Sequence, residues 1–396
     1  MLSYKSIFSV YVLLAFVSPH IYVSSALISL ATPLLLLIIL WNIPGLSRYK
    51  YYNGLMFTHI LIFVWAYSTY PFHLFDQQYL PNPRDLVSPV LLLLNIVTIY
   101  VLVNQYSIIK PKIVSWIGMV PVVIGLLQFF KVYSIHELII KLYPRTNVDV
   151  FLEYSKWNWR STSIFSLESN VFALYCISFL IFLIHSNAVK PIRKTVFASF
   201  TLLALITSGS ISGILSLVIY FLVLMVLSFS IKILLRILIL LIAAVYFFNE
   251  QVLTIVARQK LSIDALIPSS LIYRMEHAWA DGLNIFYDSS AIIGAGPAIN
   301  MIKFSMENEY LDFLVRYGLV GLLLYTIAIM SLFSPSNSFS LKYKTSITAS
   351  NGMQLMAIPF IIFALSGSVF RLDRVLELIA IFLASLAQER SKNKKG

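Results

Sequence analysis

Apolar runs close to the ~20 residues that a helix needs to cross a bilayer recur along almost the whole of this chain. They lie near 6–22, 25–42, 54–71, 88–107, 113–130, 164–186, 195–208, 213–229, 233–250, 313–333, 350–367 and 374–388. This pattern predicts an all-α integral membrane protein with about 12 transmembrane helices in one polytopic domain over residues 1–396. Composition excludes the soluble alternative. Hydrophobic residues make up 59% of the 396 residues and charged ones 12%, whereas a water-facing surface needs about 25% charged residues. The mean hydropathy of +0.85 also excludes disorder and a coiled coil. The lone cysteine, Cys176, sits in an apolar run and reads as a small core residue.

Charge orients the chain. Lys and Arg concentrate in cytoplasmic loops of membrane proteins. With the N-terminus inside, that side receives Lys5, Arg48, Lys50, Lys110, Lys112, Lys190, Arg193, Lys194, Lys232, Arg236, Lys342, Lys344, Arg390, Lys392, Lys394 and Lys395, against the single acid Glu389. The outer side is then net acidic, and both termini are expected in the cytoplasm. The formal charge of +12 is therefore an orientation signal and implies no nucleic acid. Two outer loops are long, 131–163 and 251–312, and long structured loops on one face concentrate function.

In the second loop, Leu271, Met275, Trp279, Leu283 and Phe286 recur at helical spacing, with Arg274, His277 and Asp281 on another face. This predicts an amphipathic helix over about 271–286 at the membrane boundary, with Trp279 as an interfacial anchor and Arg274 placed to bind a lipid phosphate. A glycine turn follows, Gly294-Ala295-Gly296-Pro297. Polar residues then crowd the start of an outgoing span, Glu307-Asn308-Glu309-Tyr310-Leu311-Asp312, where acids suit the helix dipole. Asp312 and Arg316, four apart, are expected to pair, and Gly318 and Gly321 to allow close helix packing. In the first loop, Trp159 and Arg160 precede Ser161-Thr162-Ser163, and Glu168 and Asn170 fall in the first turns of the next span. Glu168 is either a functional charge or the partner of an outer arginine. The six histidines are scattered, without HExxH or a carboxylate pair, so no metal site is expected.

Taken together, these stretches resemble the bacterial O-antigen polymerase (Wzy-type) and O-antigen ligase family. The likeness rests on Arg160 followed by Asn170-Val171-Phe172-Ala173, and on the Thr207–Gly213 turn, with Ile211 where arginine is common. It continues in order through Arg274, Gly294-Ala295-Gly296, Asn308-Glu309-Tyr310-Leu311, Gly318 and Gly321. Ligases carry histidine where this chain has Glu307, which favours the polymerase branch.

The resemblance implies a GT-C-like membrane glycosyltransferase, in the bacterial cytoplasmic (inner) membrane, whose active face is periplasmic or extracellular. It would move a glycan from undecaprenyl pyrophosphate to the terminal sugar hydroxyl of another lipid-linked repeat unit, building O-antigen (lipopolysaccharide) or capsule. No cofactor or metal is implied; partners would be the lipid-linked oligosaccharide, membrane lipid, a chain-length regulator and a flippase. Arg274 and Arg160 would stabilise the leaving pyrophosphate and Glu307 would take the hydroxyl proton. Glu309, Asn308, Tyr310, His277, Glu168, Asn170, Gly294, Gly296, Trp279 and Trp159 would line the substrate site. Two other readings are a ligase acting on a different acceptor and a lipid-linked oligosaccharide transporter, which would show charged or unwound helices near mid-bilayer.

Overall fold

The computed structural model describes residues 3–23, 26–74, 83–143, 161–165, 168–228, 274–296, 308–335, 348–367, 369 and 373–393. These residues form a helical bundle with one short hairpin. In chain order the helices are α1 (Tyr4–Val17), α2 (Thr32–Asn42), α3 (Asn53–Leu74), α4 (Pro83–Asn104), α5 (Pro111–Ile117), α6 (Met119–Phe129), α7 (Ile135–Leu142), α8 (Ser169–His185), α9 (Pro191–Thr207) and α10 (Ile211–Ser228). They continue with a π-helical turn (Arg274–Trp279) running into α11 (Ala280–Tyr287), then α12 (Glu309–Ser331), α13 (Ala349–Leu355), α14 (Ala357–Ala364) and α15 (Asp373–Asn393). Four stretches, Asn53–His73, Val87–Asn104, Pro111–Phe129 and Glu309–Ser331, are long and apolar enough to cross a membrane. The expected run at 233–250 lies outside the described residues.

The runs at 6–22 and 25–42 are shorter as helices than the sequence suggests. α1 stops at Val17 because Ser18 precedes Pro19, and a residue before proline is driven into extended backbone. The aromatic and β-branched residues that follow pair as an antiparallel hairpin, β1 (His20–Val23) with β2 (Ala26–Ser29). Ser18 and Ser29 close its base, hydroxyl to hydroxyl, at 2.7 Å. Two longer runs are split where proline removes a helical hydrogen bond. Pro121 and Pro359 cannot donate to the carbonyls four residues back, those of Ile117 and Leu355, and α5 and α13 end at these two residues.

At the centre stand α8 and α15. Every residue of Val171–Leu183 and of Arg374–Ala387 is buried, as a helix inside a bundle requires. The Phe382 ring meets Tyr175, Phe179 and Phe182 with centroids 5.6, 5.2 and 5.4 Å away. Cys176 is buried in this core. Around the pair, α4 packs on α15, α9 on α8 and α6, α10 on α14, and α3 on α4 and α12. The outward faces are apolar: Leu36, Leu37 and Leu40 on α2, Leu215, Val218 and Leu222 on α10, and Leu319, Leu323 and Ile327 on α12 are exposed. Apolar stripes of this extent need lipid as their solvent, and the chain is a helical membrane protein.

Hydrogen bonds divide the bundle into two ends. At the lower end, the connection after α2 meets the end of α4, where Asn104 Oδ1 accepts from the amides of Lys50 and Tyr51 at 3.0 and 3.1 Å. The amide of Tyr52 reaches the Pro335 carbonyl at 2.9 Å. Glu389, buried on α15, accepts from the Ser186 hydroxyl and from the amides of Asn187 and Ala188. The short basic connections after α2, α4 and α8 lie at this end. Glu389→Ala leaves one buried hydroxyl and two part-buried amides without their acceptor, and is expected to cost roughly 1–3 kcal/mol. Unfolding midpoints measured in mixed micelles check this; a midpoint equal to that of the native chain refutes the clamp.

Candidate functional site

The upper end carries the stretches that the sequence picks out, and its organising feature is a break in α12. Gly318, nine residues into that helix, has φ 68° and ψ −166°, a conformation open in practice only to glycine. Such a break strips the helix of its own bonds. Four of the freed groups find partners outside the helix. The Val315 carbonyl accepts from the Ala295 amide at 2.8 Å and the Arg316 carbonyl from Gly296 at 2.9 Å. The Tyr317 carbonyl accepts from the Trp65 indole of α3 at 3.0 Å. The Leu319 amide, turned away from its helical acceptor, donates to the Ala291 carbonyl at 2.9 Å.

The glycine turn is therefore an insert in the wall of the bundle. A Cβ on Gly294 would lie 2.5 Å from the Gly318 amide nitrogen, and one on Gly318 would lie 2.2 Å from the Ile292 carbonyl oxygen. Gly296 packs on the His73 ring in the same way, with 2.8 Å between a built Cβ and Cδ2. Both turn glycines have positive φ, 74° and 92°. The expectation of close helix packing at Gly318 is corrected: the residue ends one helical segment and starts another against a loop. Ala295 and Val315, with Ile285, Phe286 and Leu311 around them, form a small apolar cluster that joins α11 to α12.

The expected amphipathic segment is helical over its described part, Arg274–Trp279 and Ala280–Tyr287. The turn Arg274–Trp279 is π-helical, and its wider spacing rotates later side chains relative to an ideal α-helix. Ala278 and Gly282 are buried, and Met275, on the apolar face expected to meet the membrane, is 49% exposed. Leu271 lies outside the described residues. His277 and Asp281 are exposed, and Arg274 and Trp279 half-buried.

At the head of α12, Asn308 caps the helix: its Oδ1 accepts from the Leu311 amide at 3.1 Å. Glu309 is fully buried, and its Oε2 accepts from the Tyr325 hydroxyl at 2.7 Å and from the Val369 amide at 2.8 Å. These contacts give Glu309 a positioning task, holding the α14–α15 connection onto α12. Tyr310 stacks edge-on against Tyr325, with centroids 5.3 Å apart. Asp312 and Arg316 pair as expected, Nε to Oδ1 at 2.7 Å.

The same connection reaches the other stretches. The Ser212 hydroxyl donates to Ser366 at 2.6 Å, and the Ser161 amide donates to the Thr207 carbonyl at 3.0 Å. Ser161-Thr162-Ser163 is clamped from α6, where Gln128 Oε1 accepts from the amides of Thr162 and Ser163 and Nε2 donates to Thr162 Oγ1. The Ser161 and Ser163 hydroxyls donate to the carbonyls of Gly125 and Pro121. Glu168 and Asn170 are half-buried at the start of α8. A Cβ on Gly213 would touch that of Ala173 at 2.8 Å, so the Thr207–Gly213 turn packs on the Asn170–Ala173 stretch. Glu307, Arg160 and Trp159 lie outside the described residues.

Sequence reasoning passed over Gln128, Trp65 and Tyr325, which are single polar atoms inside apolar runs. It also passed over Arg374 and Glu377, in a run that looked merely short. The signal for these two was present, since charges three apart inside a span are rarely incidental. Glu377 Oε2 accepts from the Tyr11 hydroxyl of α1 at 3.1 Å.

No protein-family model matches the chain, and no curated protein matches it.

Gly318→Ala forces a side chain into a backbone oxygen and into forbidden φ/ψ space, and is expected to cost about 3 kcal/mol or more. The insert should leave the wall, which limited proteolysis between residues 288 and 296 would register as faster cleavage. Cleavage at the native rate in the folded variant would contradict this account of the break.

Proposed function

We propose that this chain is a lipid-carrier glycosyltransferase that polymerises polysaccharide repeat units on the outer face of the bacterial cytoplasmic membrane. The observation that carries the reading is the convergence of four separated stretches on one end of the bundle. Residues 161–173, 207–213, 274–296 and 308–318 are tied together there by the clamp at Gln128, the connection through Ser366 and Val369, and the insert at Gly318. Those are the stretches that carry the likeness to O-antigen polymerases. The upper end is taken as the outer face, and the chain as crossing the membrane twelve times with both termini in the cytoplasm.

Bond breaking at the sugar's anomeric carbon leaves negative charge on a lipid pyrophosphate. Arg274 is half-buried on a helix docked to α12, and a guanidinium held by a rigid wall stabilises that charge without reorganising. Arg160 precedes a segment whose three amides, Ser161 to Ser163, are all bonded, and we assign it the same anion. Glu307 precedes the Asn308 cap and takes the acceptor hydroxyl's proton. Arg274→Ala, expressed at the native level, should lower repeat-unit transfer by roughly a hundredfold. Surface glycan would then collapse towards single repeats on a gel; an unchanged length distribution rejects the role.

A transport reading gains one point from the break at Gly318, because unwound helices mark many transporters. Purified protein supplied only with lipid-linked repeat units separates the readings: a polymerase lengthens them, while a ligase or a transporter leaves their covalent structure intact. The proposed topology has its own check. An alkaline phosphatase fusion within 144–158 should be active and one after Gly396 inactive, and the reverse pattern overturns it.

A further inference from the structure

We propose that the lower end of the bundle carries a binding site for one anionic phospholipid, built on Arg193 of α9 and Trp116 of α5. The Arg193 guanidinium lies over the Trp116 ring, with Cζ 4.6 Å from the centroid. Phe197, one helical turn beyond Arg193, meets the same ring edge-on with centroids 5.1 Å apart. Arg193 is half-buried at the start of α9 and Trp116 is exposed, so the stack is part of the outer surface of the bundle. The Arg193 Nη1 has no hydrogen-bond partner among the described residues, and no carboxylate of those residues pairs with the guanidinium. Glu389, a described acid of this end, is taken up by Ser186, Asn187 and Ala188.

A guanidinium stacked on a ring keeps its in-plane donors free, and those donors suit a phosphate bidentately. Lys112, exposed and one turn before Trp116 on α5, adds a second cation on the same face. The surface beside the charges is apolar. Trp116 is 53% exposed and Ile192 82%, and Ile192, Val196 and Phe200 recur every fourth residue as an exposed stripe along α9. Cations at one end of an apolar stripe match a phosphate that carries acyl chains. A soluble acidic partner would leave the stripe uncovered, and the excess of base favours a net negative headgroup over a zwitterionic one. The same helices act at the other end of the bundle. Gln128 of α6 and Thr207 of α9 bond the Ser161–Ser163 backbone there, so a lipid at the feet of α5 and α9 braces the supports of that stretch. The inference needs the bundle to lie in a membrane and does not rest on the polymerase reading.

The full chain in detergent would be titrated with phosphatidylglycerol, with zwitterionic phosphatidylethanolamine and with inorganic phosphate, reading bound ligand by native mass spectrometry. The native protein should bind phosphatidylglycerol more tightly than the other two, and Arg193→Gln should weaken it about tenfold, the equivalent of losing one charged hydrogen-bonding group. Trp116→Leu keeps every charge but removes the platform, and should weaken it about threefold. That variant decides the matter if Arg193→Gln does not fold, and native affinity in it overturns the site. Lys50→Gln removes one charge from the connection after α2, away from the stack, and should stay within about twofold of the native affinity. Equal losses in Arg193→Gln and Lys50→Gln overturn the site, because a diffuse attraction counts exposed cations alike. Equal affinity for phosphatidylethanolamine overturns the selection by charge, and inorganic phosphate bound as tightly as the lipid overturns the lipid as occupant. Phosphatidylglycerol should also raise the unfolding midpoint of the native chain more than that of Arg193→Gln; an equal rise in both overturns the brace.

Discussion

Lipid offers no hydrogen bonds, so every backbone amide and carbonyl it surrounds must find a partner inside the protein. The structure is organised around the places where a helix fails to meet that demand by itself. At Pro121 and Pro359 the loss is small and local. At Gly318 a whole turn is lost, and the residues from 291 to 296, with the Trp65 indole, supply partners to three of its carbonyls and to the Leu319 amide. The refilling fixes how α11, the glycine turn and α12 sit together, and it forces glycine at positions 294 and 318, where backbones meet too closely for a Cβ.

A second consequence concerns polar side chains in the bundle. Gln128, Glu309 and Glu389 are each buried; Gln128 and Glu389 each accept from two or more donors in connections between helices, and Glu309 from Val369 of such a connection and from Tyr325 of its own helix. Buried acceptors of this kind cost free energy unless satisfied, and satisfied they hold a loop in one place. At the lower end the result is a turn after α8 tied to α15. At the upper end it is a set of loops whose mutual geometry is held from α6 and α12.

The apolar runs were legible because their period and length follow from the bilayer itself. The Asp312–Arg316 pair and the buried Cys176 were legible because they are local or compositional. The hairpin at 20–29 was not, although Pro19 marks it, because an apolar run reads the same as strand or helix when short. The π-helical turn at Arg274–Trp279 was not legible, because a single turn of that kind leaves no periodic trace. The tether made by Glu309 was not legible because its partners, Tyr325 and Val369, are 16 and 60 residues away.

By itself the sequence determined that the chain is helical and lipid-solvated, and it marked the stretches rich in glycine, asparagine and arginine. Those properties are set by transfer free energies and by spacing along one segment. Only the tertiary structure decided that Gly294 and Gly318 close one break together and that Glu309 is a tether. It alone showed that the short charged run at 374–388 is half of the central pair. Each of these depends on which distant backbone groups are left unsatisfied, and hydrogen bonding across the bundle settles that after the helices have packed.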